Sequence, residues 1–580
     1  MRPPLLFRRC RFNSSATSVS VSVSARATNP NLRPPRHYST LSPKPREASS
    51  FWITLSLFVI GGGAALHNYY SDDPLPAPTR PPPQEPFLGV IDTLKKMPME
   101  PAPGTVSTLT AEQEAKLQEF WILVLHVFGI KPEGLGPAPK ANADDNQSSP
   151  SKKSKRRWGL WGRGGDDDSD SKSVASEKDI SSNLAAITIT DGDDKYSQSK
   201  EFQQALAEMS PEEIRTAFWN MVKHDHPDAL LLRFLRARKW DVQKALIMLI
   251  STMRWRLQEV HVDDDVMVNG EALALQQSQS SDPAEKKKGE EFLHQMRMGK
   301  SFLHGVDRMG RPICVVRVRL HRSSEQSVET LERFTVYTIE TARLLLAPPV
   351  ETATIIFDMT NFTLANMDYT PVKFMIKCFE ANYPESLGSV LIHKAPWIFS
   401  SIWGIIKGWL DPVVAAKIHF TKNRGDLEEF IAPERLPKEL EGDEDWEYEY
   451  SEVQTGENVQ MDDKEKRDEL IMQRHSLAKE IQTVTIDWIK ASGKKDTDAV
   501  SAAKQKREGL VEQLREQYWA LDPYVRARSL YDRLNIVQGG GKIEFYPVAE
   551  KKGHGAGEAK ATETAPTVDE NTATAEQTTA

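Results

Sequence analysis

The alternation of apolar and polar positions changes period several times along the chain, and the changes fall in order. Ser210-Pro211-Glu212-Glu213 is a capping box with proline at the first helical position. Asp228 opens a compact helix over 230–238. Asp241 caps another, with Val242, Ala245, Leu249 and Met253 on one face. Short β-rich runs then appear at 302–305 and 313–318, joined by a turn at Asp307-Arg308-Met309-Gly310. Helical period returns at 327–347. A strand-like run at 353–357 ends at Asp358, and it is followed by helix 371–383, strand 389–393, helix 396–409 and strand 418–421. Strands alternating with helices of this length predict βαβ units and a mostly parallel sheet. The fold class expected is α/β, with a small helical lobe in front of it.

Helix 396–409 breaks the pattern. Trp397, Phe399, Ile402, Trp403, Ile406 and Trp409 make it apolar nearly all the way round, which normally means burial on every side. Ser400, Ser401, Gly404, Lys407 and Gly408 also suit a helix that meets water or headgroups. Two readings stand: a core helix, and a movable lid over an apolar cavity that docks on membrane.

Residues 1–46 hold nine Arg and Lys and no acid. That composition, rich in Ser, predicts a mitochondrial transit peptide. No charged side chain occurs in 48–71, and aromatics stand at both ends of the stretch (Phe51, Trp52; Tyr69, Tyr70). A transmembrane helix is predicted at 48–70. It would anchor the protein in the inner membrane facing the intermembrane space, or in the outer membrane facing the cytosol. Cytosol and endoplasmic reticulum are the alternative address.

Residues 71–199 read as a Pro-rich and mixed-charge linker with a short helix at 110–128, and 548–580 as a disordered tail. The principal domain falls into a helical part at 200–260 and an α/β part at 290–450. A charged helical extension at 460–537 carries apolar stripes (Ile481, Val484, Trp488; Leu510, Leu514, Tyr518). These stripes suit packing on the main domain; a protein partner is the other reading.

Composition removes several classes of function. Three cysteines in 580 residues (Cys10, Cys314, Cys378) allow neither a disulfide framework nor an all-cysteine metal site. A net charge of −8 argues against a dedicated nucleic-acid binder. The chain has no Gly-x-Ser-x-Gly elbow and no His-Glu-x-x-His. Gly299-Lys300-Ser301 ends like a phosphate loop, but His294 stands where the first glycine belongs. No metal, cofactor or catalytic residue is predicted, and the protein is not expected to be an enzyme.

Several motifs together resemble the CRAL-TRIO lipid-binding domains of the fungal phosphatidylinositol transfer class. They are the run from Leu231 to Asp241, Asp307 to Pro312, Asn382-Tyr383-Pro384-Glu385, Lys394-Ala395-Pro396, and Leu410 to Lys417. The resemblance covers about residues 200–450. It implies a helical N-lobe and an α/β lobe whose sheet floors an apolar lipid pocket, with the helix at 396–409 as its gate. Ala353 and Ile355 fall on the pocket strand.

By the same resemblance Lys239, Glu385 and Lys417, with Arg238 beside them, match phosphoinositide headgroup contacts. On residue chemistry alone these could equally be surface ion pairs. Val414 and Ser386 depart from the family's threonine and arginine. The hydroxyls that serve a choline lipid are missing at Ala353 and Ile355. The expected ligand is therefore phosphatidylinositol, paired with another apolar lipid rather than phosphatidylcholine. The implied function is lipid transfer between membranes, with a lipid-sensing adaptor for a kinase or contact-site partner as the alternative.

Overall fold

The computed structural model describes residues 102–131, 187 and 194–546. The leader 1–46, the apolar run 48–70, much of the 71–199 stretch and the tail 548–580 lie outside the described residues. Among the described residues no helix is long and apolar enough to cross a membrane.

Five helices build the N-terminal lobe: α1 (Ala111–Val127), α2 (Gln198–Glu208), α3 (Pro211–Val222), α4 (Pro227–Ala237) and α5 (Val242–Arg254). Local chemistry sets their starts. The side chains of Thr110, Ser210 and Asp241 accept the backbone N–H of Gln113, Glu213 and Lys244, satisfying donors that a helix N-terminus leaves free. α5 is central, with Ala245 to Ile250 wholly buried. α1 sends Leu117, Phe120, Trp121 and Val124 into the same core. The sequence places this helix inside a linker. The structure makes it a wall of the lobe, because its apolar face is long enough to cover α4 and α5.

π-helical turns at Trp255–Glu259 and Val262–Met267 lead into α6 (Val268–Ser278) and α7 (Pro283–Arg297). The sequence predicts no element between 260 and 290. α7 opens on Glu285 and three lysines, and only its last turns bring large apolar groups inward (Phe292, Leu293, Met296). A weak period of this kind does not announce a helix.

The second lobe follows: β1 (Ser301–Val306), β2 (Pro312–Arg317), α8 (Val328–Leu344), β3 (Ala353–Asp358), α9 (Tyr369–Lys377), β4 (Leu387–His393), α10 (Phe399–Lys407), α11 (Pro412–Ala415), β5 (Ile418–Thr421) and α12 (Arg424–Glu428). The strands lie side by side in chain order. The first pair is antiparallel and the remaining three are parallel. Asp307 fixes the tight turn. Its Oδ1 accepts the N–H of Met309 and of Arg311, both at 2.9 Å. Its Oδ2 accepts Arg311 Nε and the Thr354 hydroxyl, both at 2.7 Å. The motif thus ties the hairpin to β3 and sets the register of three strands. Gly310 supplies the positive φ (+70°) the turn needs.

Strand period two then divides the sheet cleanly. Ile313, Val315, Ile356 and Leu391 point to one face and meet Leu427, Ile431, Leu436 and Leu440. Cys314, Ile355, Val390 and Ile392 point to the other, toward α8, α9 and α10.

Ion clusters join the parts. Glu340 on α8, fully buried, accepts Arg256 Nη1 at 2.7 Å and lies 3.0 Å from Lys223 Nζ. Asp263 shares both cations, at 2.8 Å and 3.2 Å. The charged extension forms a hairpin, α13 (Lys464–Lys494) and α14 (Thr497–Val525), and then a short α15 (Leu530–Arg533). Ile481, Val484, Trp488, Leu510, Val511 and Leu514 enter the N-lobe core. Arg507 makes a two-pronged bond to Asp228 (2.8 and 2.7 Å), and Trp121 Nε1 donates to the same carboxylate at 2.7 Å. Burial alone pushes the Asp228 carboxyl up. The Arg507 guanidinium outweighs that and holds it at about 2.

Arg507→Ala leaves a buried carboxylate without its counter-ion and is expected to cost about 3–5 kcal/mol. Urea denaturation reads this; a loss below about 1 kcal/mol would show that the hairpin does not depend on the clasp. Because the folded pKa of Asp228 is depressed, its contribution is present above about pH 4 and is lost as pH falls toward 2.

Candidate functional site

The face of the sheet turned away from α12 does not close on itself. Cys314 and Val316 of β2, Ile355 and Phe357 of β3, Val390 and Ile392 of β4 and Ile418 of β5 floor a cavity of about 230 Å³. α8 supplies one wall with Phe334 and Ile339, and α9 another with Val372 and Ile376. α10 lies across the top, with Phe399, Trp403 and Ile406 facing in.

Helix α10 is shorter and more two-sided than its sequence predicts. Phe399, Ile402 and Ile406 are buried. Ser400, Ser401, Gly404 and Ile405 face solvent, and nothing lies within 4 Å of where a Gly404 side chain would begin. Trp397, just before it, is 86% exposed, and Ile405 is 48% exposed. Val413 and Phe420, further along the chain, are exposed as well. Four expected pocket residues, Ala353, Trp397, Ile402 and Trp409, stand outside the cavity lining. Trp397 points outward, and Ile402 packs in the core without lining the cavity. Trp409 anchors the helix exit, edge-on to Tyr369 with ring centroids 5.4 Å apart and with Lys373 Nζ 4.8 Å above its ring. Ala353 sits at the start of β3, half-buried and outside the lining, whereas Ile355 lines the floor.

Of the four expected headgroup residues, the structure brings Glu385 and Lys417 together, at the end of the sheet where the parallel strands begin. Glu385, held at positive φ (+53°), precedes β4. It forms an ion pair of 3.1 Å with Lys417, which precedes β5. Ser386, beside Glu385, receives the Ala353 N–H on its carbonyl. The end of α4 reaches this rim through Arg236, which is 2.9 Å from Glu351. Two residues on, Arg238 donates to Gln198 Oε1 at 2.5 Å, and Lys239 is exposed. Lys239 and Trp240 both have positive φ (+51° and +66°), so the chain turns sharply there.

Two features carry no sequence signal. The first is a strap at 194–198, assigned by composition to the linker. Lys195 Nζ donates to Glu380 Oε2 at 2.6 Å and also to the Trp409 carbonyl. Tyr196 donates to the same oxygen at 2.7 Å, and the Asp411 N–H reaches Glu380 Oε1 at 2.6 Å. Glu380 lies in a π-helical turn (Cys378–Asn382) that continues α9. One carboxylate thus joins the strap, the wall of the cavity and the exit of α10. Neither the extra residue of a π-turn nor three bonds over long sequence separations can be read from local periodicity.

The second is a polar corner inside the cavity. Lys300 Nζ is 3.0 Å from Gln326 Oε1 and 3.4 Å from His321 Nδ1. His321 Nε2 is 3.4 Å from Asp368. Burial drives the Lys300 ammonium down to about 8, the Glu325 carboxylate opposing it weakly. A partly desolvated cation facing an apolar chamber can meet lipid oxygens there. The described residues contain no cluster able to hold a metal ion.

This architecture, a helical lobe followed by a mostly parallel sheet with an apolar chamber beneath a helix, defines a cavity-bearing α/β class of protein. The pattern of the CRAL/TRIO domain matches residues 296–442, and that of the CRAL/TRIO N-terminal domain matches 198–251. A CRAL-TRIO domain-containing protein of Schizosaccharomyces pombe is 40% identical over 444 residues, which is 75% of this chain and 92% of the relative. The phosphatidylinositol transfer protein CSR1 of Eremothecium gossypii is 40% identical over 441 residues, 74% of this chain and 97% of the relative. The Sec14 cytosolic factor of Schizosaccharomyces pombe is 30% identical over 231 residues, covering 37% of this chain and 74% of that protein. The chain belongs to the CRAL-TRIO family.

Lys300 yields a pH test. Its folded pKa of about 8 lies below the ordinary lysine value of 10.5, so the charged form destabilises the fold. Between those values the unfolded state binds more protons, and stability rises with pH. Lys300→Met is expected to be more stable than the parent at pH 7, by up to about 3 kcal/mol. The gap should shrink above pH 8 and close near 10.5. A gap that stays constant across that window in thermal melts would refute the assignment.

Proposed function

We propose that this chain binds phosphatidylinositol in the sheet cavity and carries it between membranes. The carrying observation is the chamber itself: an apolar sheet face under a helix that buries one side and exposes Ile405 on the other, with the exposed Trp397 just before it. Moving a two-chain lipid through water exposes roughly 30 methylenes at ~0.8 kcal/mol each, on the order of 20 kcal/mol. An apolar chamber removes that barrier, and no covalent step is required. The cavity, about 230 Å³, is below the roughly 300–1,000 Å³ of drug-sized pockets. Loading a phospholipid therefore requires α10 to swing outward, toward the bilayer its exposed tryptophan would enter. A relative at 40% identity carries the name phosphatidylinositol transfer protein, which supports this choice of lipid.

In this proposal Lys417 and Lys239 donate charge-assisted hydrogen bonds to the phosphate, and Glu385, released from its pair with Lys417, accepts inositol hydroxyls. Arg238 braces the turn. The acid-free leader and the apolar run at 48–70 support delivery to mitochondria and anchorage there.

Lys239→Ala combined with Lys417→Ala removes both phosphate donors. It should lower phosphatidylinositol transfer between vesicles by the full chain at least about tenfold. Unchanged transfer would sink the headgroup assignment. Tight stoichiometric binding with slow exchange would favour the adaptor role. For the address, a fluorescent protein fused behind residues 1–75 should mark mitochondria; diffuse cytosolic signal would contradict it.

A further inference from the structure

A second chamber lies apart from the sheet. α3, the π-helical turn Val262–Met267, α13 and α14 enclose a groove of about 800 Å³, which shares no lining residue with the sheet cavity. Its volume falls within the range of small-ligand pockets. Met267, Val268, Ile471, Ile486, Leu521 and Val525 give it apolar walls.

Its polar groups are out of balance. Trp219 Nε1 and Gln482 Nε2, each on a side chain 4% exposed, have no hydrogen-bond partner. Arg474 is 6% exposed. Its guanidinium donates only to neutral oxygens: the carbonyls of Lys223 (2.7 Å), Trp219 (3.3 Å) and Leu514 (3.3 Å), and Gln517 Oε1 (3.4 Å). The other buried arginines, Arg233, Arg256, Arg507 and Arg526, each face a carboxylate. Burial lowers the Arg474 pKa to about 10, the mark of a cation without a counter-ion.

The acids lining the groove are already engaged. Glu212 pairs with Arg215, Asp263 with Lys223 and Arg256, and Asp264 with His261. Arg474, Ala478 and Gln482 recur at every fourth position of α13 along the groove, a stripe about 12 Å long. Ala478 leaves room between the two donors. Exposed His475 and Lys479 add donors at the rim.

We propose that this groove binds a single-chain amphiphile with an anionic head, the head on the Arg474–Gln482 stripe beside the Trp219 indole and the chain along the apolar walls. A buried charge and two buried donors all ask for acceptors. A spread of about 12 Å suits a head with several oxygens, such as glycerol phosphate, better than a compact one.

The test uses the full chain and a photoactivatable oleoyl lysophosphatidate, with oleate and uncharged monooleoylglycerol as competitors. Crosslinks should map to residues 212–223, 471–486 and 518–526. Lysophosphatidate should compete at least tenfold better than monooleoylglycerol. Equal competition by oleate would assign recognition to charge alone and keep the site. Arg474→Met should weaken labelling at least tenfold and leave phosphatidylinositol transfer unchanged. Gln482→Leu removes an unpartnered donor, so it should not lower Tm, yet it should weaken labelling. Crosslinks confined to the sheet cavity, equal competition by monooleoylglycerol, or full labelling of a folded Gln482→Leu protein would each overturn the proposal. Labelling that appears only after residues 132–186 are deleted would give the groove to the chain's own linker, and would also overturn it.

Discussion

The two faces of the five-stranded sheet are treated differently, and the rest of the second lobe follows from that difference. On one face Leu427, Ile431, Leu436 and Leu440 close directly on Ile313, Val315, Ile356 and Leu391. On the other, helices cover the strands without filling the space between. Because strand side chains alternate, a slip of one residue would exchange the two faces and destroy the chamber. Asp307 guards against that slip by holding the β1–β2 turn and Thr354 of β3 with a single carboxylate. The motif from Asp307 to Pro312 is thus a register device.

Fastening is as uneven as packing. The N-lobe and the α13–α14 hairpin are pinned by buried, two-pronged ion pairs, Arg507–Asp228 foremost. The lobes meet over the Glu340 cluster, where Arg256 and Lys223 share two carboxylates. α10 has nothing comparable. Its buried face is three side chains deep, a side chain at Gly404 would meet only open space, and its exit is held by Glu380 through a lysine, a tyrosine and one backbone amide. Elements that open are drawn from the weakly held end of a structure. In the proposed function this helix is the part that moves while the scaffold keeps its shape.

Much of this was legible in the chain. The strand at 418–421 was readable to the residue, and the other four lie within two residues of their expected ends, because short β-branched runs between turn residues carry a strong local signal. The helix over the cavity was legible as an apolar helix out of place. Other features were not. α6 and α7 have too few inward apolar residues to show a period. The π-turn at Cys378–Asn382 shifts the phase of a helix predicted as continuous. The strap at 194–198 and the unpaired Arg474 depend on partners more than 180 and 250 residues away. Such pairings leave no mark on local sequence. The expected headgroup residues are an intermediate case: Glu385 and Lys417 meet as an ion pair, but their separation of 32 residues is bridged only once the parallel crossover forms.

The central claim is that the chamber under α10 holds a phospholipid. Native mass spectrometry of the full chain, released from its expression host in mild detergent, tests it most directly when paired with Ile355→Trp, which fills the cavity floor. One phosphatidylinositol per parent chain and none on the variant is the expected result. A parent chain without lipid, or a variant that keeps it in full, would contradict the account.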